Sequence, residues 1–269
     1  MAIRLDHIVA ATRRRVAESQ RNADFRAIAQ LAGKHTPRGF RRALQAAAKT
    51  GPAIIAELKK ASPSRGLIRA DFDCKQLARE LCDAGATALS VLTDEEFFQG
   101  SLDNLRAASA SVPLPCLRKD FMVDGFQLLE SRANCADAIL LIVAAIPHAD
   151  LLALARRSRE LELDVLCEVH DDEELKFALD SDFDLIGVNS RDLCTFEVTL
   201  DTAIRLGKLI PESVVRVAES GIQSGHDVAR LRGEGYQAFL IGESLMKAPS
   251  PGDALRKLLA EAKSAVSSC

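Results

Sequence analysis

Apolar runs of strand length recur along the chain, separated by stretches with helical periodicity. The runs lie about 20–35 residues apart, the length of one strand–helix unit. They are Ile54–Leu58, Ala88–Leu92, Leu114–Leu117, Ala138–Val143, Val165–Val169, Leu185–Val188, Val214–Ala218 and Ala238–Ile241. The runs are nearly continuous rather than alternating, as in parallel strands that are covered on both faces. The pattern therefore predicts an α/β protein with a parallel sheet.

The intervening stretches predict the helices that cover this sheet, among them residues 74–84, 226–232 and 254–265. Ser224 and Gly252 precede the last two of these helices. About eight strand–helix units in one chain favour a closed (β/α)8 TIM barrel over an open doubly wound sheet. The open sheet stays an alternative, because periodicity does not show closure. No Gly-, Ser- or Pro-rich linker divides the chain, so we expect one domain over residues 1–269.

Residues 1–50 do not fit the repeat and predict an N-terminal helical extension. Helices are expected over residues 6–20 and 38–49, and Ile8, Val9 and Val16 form an apolar stripe on the first. Two positions are open for these helices: over the bottom or side of the barrel, or as a lid over the site. Periodicity alone favours the first.

Composition excludes several classes of protein. Hydrophobic residues make up 48% and charged residues 27%, an ordinary globular mixture. The formal net charge of −3 lacks the basic footprint of a nucleic-acid binder. No apolar run approaches the roughly 20 residues of a membrane span, and no apolar signal segment follows Met1.

The cysteines are odd in number and scattered, and none forms a C-x-x-C pair. This pattern is typical of reduced thiols in a cytoplasmic protein and gives little support to a metal site. They are Cys74, Cys82, Cys116, Cys135, Cys167, Cys194 and Cys269. We therefore expect a cytoplasmic protein with no metal, no nucleic-acid partner and no membrane partner.

Charged and amide side chains stand where the apolar runs end. Glu57 and Lys59 share one face of the first run, and Lys119, Glu168, Asn189 and Glu219 end the third, fifth, sixth and seventh. In a barrel these ends converge on one mouth. Unpaired charges buried there would cost several kcal/mol, so they must pair, bind a ligand or stay hydrated. A surface ion pair would explain any one of them, but their repetition at five strand ends favours a functional pocket.

Glycines near the last two runs indicate a phosphate site. Ser220 and Gly221 follow the seventh run, and Gly242 and Glu243 follow the eighth. In many barrels these loops and a short extra helix, here predicted over residues 243–247, bind phosphate through backbone N–H groups. The side chain of Glu243 must then face away from the phosphate. Ordinary turn glycines are the alternative.

The basic loop over residues 59–66 carries Lys59, Ser62, Ser64 and Arg65. It predicts either a mobile loop that closes over an anionic ligand or a solvated connector.

The segment Ile54-Ile-Ala-Glu-Leu-Lys-Lys-Ala-Ser-Pro-Ser64 resembles the signature of the indole-3-glycerol-phosphate synthase family. Further segments resemble that family in chain order, so that the resemblance covers essentially the whole chain. They are residues 37–40, 97–101, 117–121, 140–143, 167–170, 188–193, 218–222 and 239–246. The chain is too short to include the second barrel that some relatives carry, so we expect a single activity.

The resemblance implies a (β/α)8 enzyme of tryptophan biosynthesis that needs no cofactor. Its reaction converts 1-(2-carboxyphenylamino)-1-deoxyribulose 5-phosphate to indole-3-glycerol phosphate, CO2 and water. The family match implies Lys119 as general acid for ring closure, and Lys59 with its partner base Glu57 in dehydration. It further implies Glu168 as an acid–base group, and Asn189 and Glu219 as groups that hold hydroxyls and amines. Which lysine serves which step is open. Crowding and partial desolvation would lower the lysine pKa values and make them better proton donors, and nearby carboxylates oppose that shift, so its size is open.

The resemblance also implies the binding residues. Ser220, Gly221, Gly242 and the backbone of Glu243 would hold the phosphate, and Ser62 and Arg191 would contact other parts of the substrate. Phe98, Phe121 and Pro63 would form the wall around the aromatic ring, although ordinary core packing would also explain the phenylalanines. We expect a small phosphorylated substrate as partner, and a monomer or weak homodimer.

Two other functions compete with this one. Phosphoribosylanthranilate isomerase shares the phosphate loops, but it calls for a cysteine–aspartate pair, whereas the first strand here ends in Glu57 and Lys59. A non-catalytic phosphate-binding barrel would need neither Lys59 nor Lys119.

Overall fold

Eight parallel strands close into a barrel in the computed structural model, which describes residues 5–192 and 197–266. The strands are β1 Ala53–Leu58, β2 Ala88–Leu92, β3 Cys116–Lys119, β4 Ala138–Ile142, β5 Asp164–Val169, β6 Leu185–Asn189, β7 Val215–Glu219 and β8 Ala238–Ile241. Neighbours in sequence pair in parallel, and β1 pairs with β8 from Ala53–Ala238 to Ala56–Ile241. This last pairing closes the sheet, so the TIM barrel is confirmed and the open sheet is excluded.

The third strand lies two residues further along the chain than predicted, at Cys116–Lys119 rather than Leu114–Leu117. Pro113 and Pro115 carry no N–H group, so they cannot donate to a strand ladder. Pairing begins directly after Pro115, and the shift makes Lys119 the last residue of β3.

Helices surround the barrel. The three of the N-terminal extension are α1 Leu5–Asn22, α2 Phe25–Ala32 and α3 Phe40–Ala48. The others are α4 Cys74–Asp83, α5 Glu95–Phe98, α6 Leu102–Ser111, α7 Gly125–Ala133, α8 His148–Glu160, α9 Asp172–Asp180, α10 Leu200–Gly207, α11 Gly225–Gly233, α12 Glu243–Lys247 and α13 Pro251–Val266.

Two helix starts show why the sequence signals work to different degrees. Ser224 caps α11 as expected, because its side chain and that of Asp227 form a capping box. Helix α13 begins at Pro251, so Gly252 lies in its first turn rather than before it. Proline fits the first turn of a helix, and Glu80 accepts the N–H of Gly252 at 2.7 Å.

The N-terminal helices occupy three different places. Phe40 and Leu44 of α3 are fully buried against the inward residues of the barrel bottom, among them Ala53 and Ile55. Helix α2 packs on the side, where Phe25 meets Phe126 of α7 at a centroid distance of 5.5 Å. The expected bottom or side position is therefore confirmed for α3, and α2 is a further helix that the sequence did not predict. Its start signal is Asp24, whose side chain accepts the N–H of Ala27.

Helix α1 crosses the opposite end of the barrel, so the bottom or side position was wrong for it. Leu5 and Ile8 line the cavity at the barrel mouth. Arg15 fixes the helix there through ion pairs to Asp94 at 3.0 Å and Asp120 at 3.1 Å, both in loops that follow strands. A stripe of apolar residues shows that a helix packs, but not against which end of a barrel it does so.

The described thiols are free, and Cys74, Cys116 and Cys167 are buried. Burial raises the pKa of Cys116 to about 12, so this sulfur stays a protonated thiol. Cys194 and Cys269 lie outside the described residues, as does Leu193 of the family motif. Within residues 5–192 and 197–266, no helix has the length and apolar character needed to cross a membrane.

Candidate active site

A cavity of about 630 Å³ opens at the carboxyl ends of the strands. Every residue that the sequence predicts for the site lines this cavity, although the residues come from loops and strands all round the barrel. Leu5 and Ile8 of α1, Asp120 and Leu140 also line it and were not predicted. The sequence-based expectation of one shared mouth is met in position, and the roles of the residues stay predictions.

Lys119 contacts two carboxylates inside the mouth. It points inward because it alternates with Arg118, whose guanidinium is buried on the outer side of β3 against α7. Its Nζ donates to Glu168 Oε2 at 2.7 Å and to Glu219 Oε2 at 2.8 Å. Burial alone would lower the pKa of Lys119, but the carboxylates of Glu168, Glu219 and Glu57 outweigh it and raise that pKa. The lowered lysine pKa expected from the sequence is therefore wrong for Lys119, which is an ammonium at neutral pH.

The two carboxyl groups that share this lysine have opposite pKa shifts. Burial raises the pKa of Glu219 to about 8, with the negative charge of Glu168 adding to the effect of burial and Lys119 opposing it. The pKa of Glu168 lies well below its ordinary value despite burial, because Lys119 and His170 both stabilise its negative charge. Asn189 Nδ2 also donates to Glu168 Oε1 at 3.1 Å. Near neutral pH, one carboxyl group is thus ionised and the other holds a proton.

Glu57 and Lys59 form a second acid–base pair at the end of β1, with Lys59 Nζ 2.6 Å from Glu57 Oε1. Gly242 makes room for this pair, because a Cβ atom at that position would overlap Glu57 Oε1. Gly187 does the same for Glu219 Oε1 on the other side of the barrel. Gly187 was not predicted, because it lies inside an apolar run and its effect depends on a side chain from the next strand.

The loops after β7 and β8 form a backbone cradle. Ser220 and Gly221 have φ values of 63° and 80°, in the left-handed region that favours glycine. Helix α12 begins after Gly242, and the N–H groups of its first turn have no partner within the helix. The side chain of Glu243 is engaged elsewhere, with Lys247 at 2.6 Å and Arg65 at 3.1 Å. These neighbours lower the pKa of Glu243 against the effect of burial.

The basic loop after β1 is a short antiparallel hairpin, Ala61–Ser62 paired with Gly66–Leu67. Ser62 and Pro63 line the cavity, and Arg65 reaches across to Glu243 of α12. The hairpin therefore borders the mouth, and its closure over an anionic ligand stays a prediction. Arg191 approaches from the β6 side, with Nη2 3.7 Å from Glu243 Oε2.

An apolar wall faces the charged groups. The rings of Phe98 and Phe121 are 6.2 Å apart between centroids and tilted by 40°. Both rings and Pro63 are only partly buried and line the cavity, so they are not ordinary core residues. The wall is suited to the face of an aromatic group.

Two further side chains support the site and were not predicted from the sequence. His170 lies 3.3 Å from Glu168 through Nε2 and 3.0 Å from Glu174 through Nδ1. Asp120 accepts hydrogen bonds from Thr93, Arg118 and the N–H of Phe121. The signal for His170 is its strand spacing, since it stands two residues after Glu168 and shares its face. Asp120 has no comparable signal beyond its place next to Lys119.

Across the described ranges, no cluster of three or more His, Cys, Asp or Glu side chains is arranged to hold a metal ion. The expectation that the reaction needs no metal stays a prediction.

The family model described as "Indole-3-glycerol phosphate synthase" matches residues 5–258. The chain belongs to this family. A curated relative from Koribacter versatilis (strain Ellin345), named indole-3-glycerol phosphate synthase, is 55% identical over 259 residues, which is 96% of this chain and 100% of the relative. A relative of the same name from Albidiferax ferrireducens is 46% identical over 260 residues, and the match covers 96% of this chain and 98% of the relative.

Solved structures of other enzymes share the fold. A 3-hexulose-6-phosphate synthase from Salmonella typhimurium superposes with a TM-score of 0.63 at 14% identity, covering 79% of this chain and 99% of its own. A thiamine phosphate pyrophosphorylase from Pyrococcus furiosus superposes with a TM-score of 0.60 at 15% identity, covering 80% of this chain and 96% of its own. At such low identity, the likeness concerns the barrel alone.

Proposed function

We propose that the mouth of this barrel closes the pyrrole ring of 1-(2-carboxyphenylamino)-1-deoxyribulose 5-phosphate, with loss of CO2 and water, to give indole-3-glycerol phosphate. Membership of the family makes the chain a carboxy-lyase of tryptophan biosynthesis that acts on a small phosphorylated substrate. One observation carries the assignment of residues: the Lys119 ammonium contacts Glu168 and Glu219 in the same cavity as the backbone cradle after β7 and β8.

Ring closure needs a proton at the substrate ketone. The aromatic carbon that bears the carboxylate attacks the ketone carbon, and Lys119 protonates the oxygen as the bond forms. The raised pKa keeps Lys119 protonated when substrate arrives, although it makes the ammonium a weaker acid. The substrate oxygen then takes the place of one carboxylate on the ammonium.

Decarboxylation returns the electrons of the breaking C–C bond to the ring, which regains its aromaticity. This step asks for no proton donor, so the protein's contribution is to hold the ring. Phe98, Phe121 and Pro63 provide the wall for its face, and Arg191 and Ser62 provide polar groups at the edges of the cavity.

Dehydration removes the hydroxyl left by ring closure as water. We assign Lys59 as the acid that protonates the leaving hydroxyl. Glu57, whose Oε1 is 2.6 Å from Lys59 Nζ, is the base that accepts the proton lost from the neighbouring ring carbon. Glu168 is a further acid–base group, and Asn189 and Glu219 hold the hydroxyl and amine of the intermediates.

The substrate phosphate would bind in the cradle of Ser220, Gly221, Gly242 and the backbone of Glu243, where N–H groups and the left-handed turn suit an anion. A cytoplasmic location and a monomer or weak homodimer stay predictions from the sequence.

Turnover of the purified chain tests this function. The carboxyphenylamino substrate should give a fluorescent indole product without added metal or cofactor. The protein contains no tryptophan, so the product would emit against a dark background. A folded preparation that gives no signal across neutral pH would contradict the proposal.

Replacing Lys119 by alanine tests the general acid. We expect kcat to fall by at least about 100-fold, the low end for loss of a general acid, while the barrel stays folded. Lys75→Ala removes an exposed lysine of α4 and should leave kcat unchanged. If Lys119→Ala kept most of the activity, the lysine would lose this role, and the fold assignment would stand.

A further inference from the structure

His170, which follows β5, lies between two carboxylates. Its Nδ1 is 3.0 Å from Glu174 Oε2, and its backbone N–H donates to the same oxygen at 2.8 Å. Its Nε2 is 3.3 Å from Glu168 Oε1. This nitrogen has no well-aligned hydrogen bond among the described residues, so its contact with Glu168 is an ion pair rather than a hydrogen bond.

The charged groups around His170 favour its protonated form. Glu168 faces it from β5 and Glu174 from α9. Within the described residues, the neutral amide of Asn189 is the only other polar side chain that hydrogen-bonds Glu168 Oε1. The turn Val143–Ala145, which packs against β5 and α9, bears no titratable side chain. Burial would lower the pKa of His170, but the two glutamates outweigh burial and raise it to about 10.

The carboxylate of Glu168 is therefore held by cations on both oxygens. Lys119 contacts Oε2 inside the mouth, and His170 approaches Oε1 from the side of α9. Glu219 has the same lysine on Oε2, but its Oε1 has no hydrogen-bond partner among the described residues. This asymmetry explains why the ionised carboxylate is Glu168 and the protonated one Glu219.

We propose that His170 is a positioning residue whose imidazolium, held by Glu174, keeps Glu168 ionised and oriented as a proton acceptor beside Lys119. The inference rests on the proposed function, which gives Glu168 an acid–base role. Without the imidazolium charge, Glu168 competes with Glu219 for the proton, and less of the enzyme has the ionised base at a given pH.

Two variants separate charge from packing in the pH profile of kcat/KM. His170→Gln keeps an N–H near Glu168 but removes the charge, and Glu174→Gln keeps the imidazole but removes the carboxylate that holds its proton. We expect His170→Gln to move the acidic limb upward by about one pH unit, the lower end for a lost opposite charge. Glu174→Gln should leave the limb in place, because its imidazole still carries a proton at acidic pH. His226→Gln, which changes an exposed histidine of α11, should leave the profile in place.

A uniform loss of kcat/KM at all pH values, with the limb unmoved, would show a merely structural role and overturn the proposal. An unchanged profile in His170→Gln would overturn it as well. If His170→Gln fails to fold, the test rests on the His170 titration in the unmodified protein and in Glu174→Gln.

The imidazole NMR signals of the full chain provide a test that needs no turnover. The chain has 5 histidines, and the resonance missing from His170→Gln identifies His170. We expect that resonance to stay at its imidazolium position up to about pH 9, whereas an exposed histidine titrates with a midpoint at about pH 6.5. In Glu174→Gln its midpoint should fall by about one unit or more. A His170 that titrates near 6.5 in an active enzyme would overturn this inference alone, and an inactive chain with an imidazolium at His170 would overturn the proposed function instead.

Discussion

At the scale of single residues, Glu168 and Glu219 show how their surroundings divide two chemically identical groups. Both are buried and both accept a hydrogen bond from Lys119. Burial and the charge of Glu168 raise the pKa of Glu219 to about 8 against the effect of Lys119, whereas Lys119 and His170 together outweigh burial and lower the pKa of Glu168. The two groups must therefore affect stability in opposite ways as the pH changes.

Replacing Glu219 by glutamine should stabilise the protein selectively at high pH. A folded-state pKa of about 8, above the ordinary 4.5, means that the carboxyl group stabilises the fold fully below pH 4.5. This stabilisation is lost as the pH rises through about 8. An amide does not ionise, so the Tm of Glu219→Gln relative to the unmodified protein should rise between pH 5 and pH 8.5. Thermal unfolding followed by circular dichroism measures this difference.

Glu168→Gln is the matched control with the opposite sign. Its lowered pKa means that the carboxylate stabilises the fold above its unfolded-state value, and that this stabilisation is lost as the pH falls through the folded-state pKa. The variant should be less stable than the unmodified protein at neutral pH, with a deficit that shrinks under acid conditions. If both variants followed the same trend with pH, the division of charge between the two carboxyl groups would be wrong.

The sequence predicts residues of this site to different degrees. Lys119, Glu168 and Glu219 could be found because each interrupts an apolar run where a strand ends, and parallel strand ends meet at one mouth. Gly187 acts through Glu219 of the next strand, whose distance from it is set only when the barrel closes. His170 contacts Glu168 two residues before it and Glu174 four residues after it, and strand spacing indicates only the first of these contacts. Periodicity along one strand contains no information about the contacts with Glu219 and Glu174.

At the scale of elements, α1 is the helix of the N-terminal extension that lines the candidate active site. Its residues Leu5 and Ile8 line the cavity, and Arg15 ties it to Asp94 and Asp120. Asp120 follows Lys119 directly and also accepts a hydrogen bond from Arg118. The residue that holds Arg15 of α1 is therefore the neighbour of the proposed acid at the end of β3. The stripe predicted this helix correctly, but its location depends on two ion pairs between residues 79 and 105 positions apart in sequence.

Arg15→Ala should loosen α1 over the mouth. We expect a loss of about 1–2 kcal/mol in the free energy of unfolding, less than the roughly 3–5 kcal/mol typical of breaking a buried ion pair. The loss is smaller because the Arg15 side chain is 31% exposed and Asp120 keeps its ion pair with Arg118. Amide hydrogen exchange in α1 should accelerate and KM should rise. Arg14→Ala, at the exposed neighbouring position, should change neither. Unchanged exchange in α1 would show that Arg15 does not hold the helix.

At the scale of the whole molecule, the two ends of the barrel have different tasks. The carboxyl ends of the strands carry the proposed chemistry, whereas the amino ends are closed by α3 and by a buried ionic cluster in which Asp137 pairs with Arg38. The sequence predicts this division only in part. The eight runs predicted a barrel, and the proline pair at 113 and 115 could have corrected the limits of β3. The opposite positions of α1 and α3 could not be predicted, because either apolar stripe suits either end.

Phe40→Ala tests the separation of the two ends. The ring is fully buried against the bottom of the barrel, so its removal should cost about 3–5 kcal/mol of unfolding free energy in urea denaturation. At temperatures where the variant remains folded, kcat/KM should stay near that of the unmodified protein, because Phe40 lies at the end opposite to Lys119. Leu209→Ala, at a side chain that is 55% exposed, should leave both quantities unchanged. A Phe40→Ala variant that folds stably but turns over substrate poorly would mean that the bottom of the barrel sets the geometry of the mouth. The two ends of the barrel would then not have separate tasks in stability and chemistry.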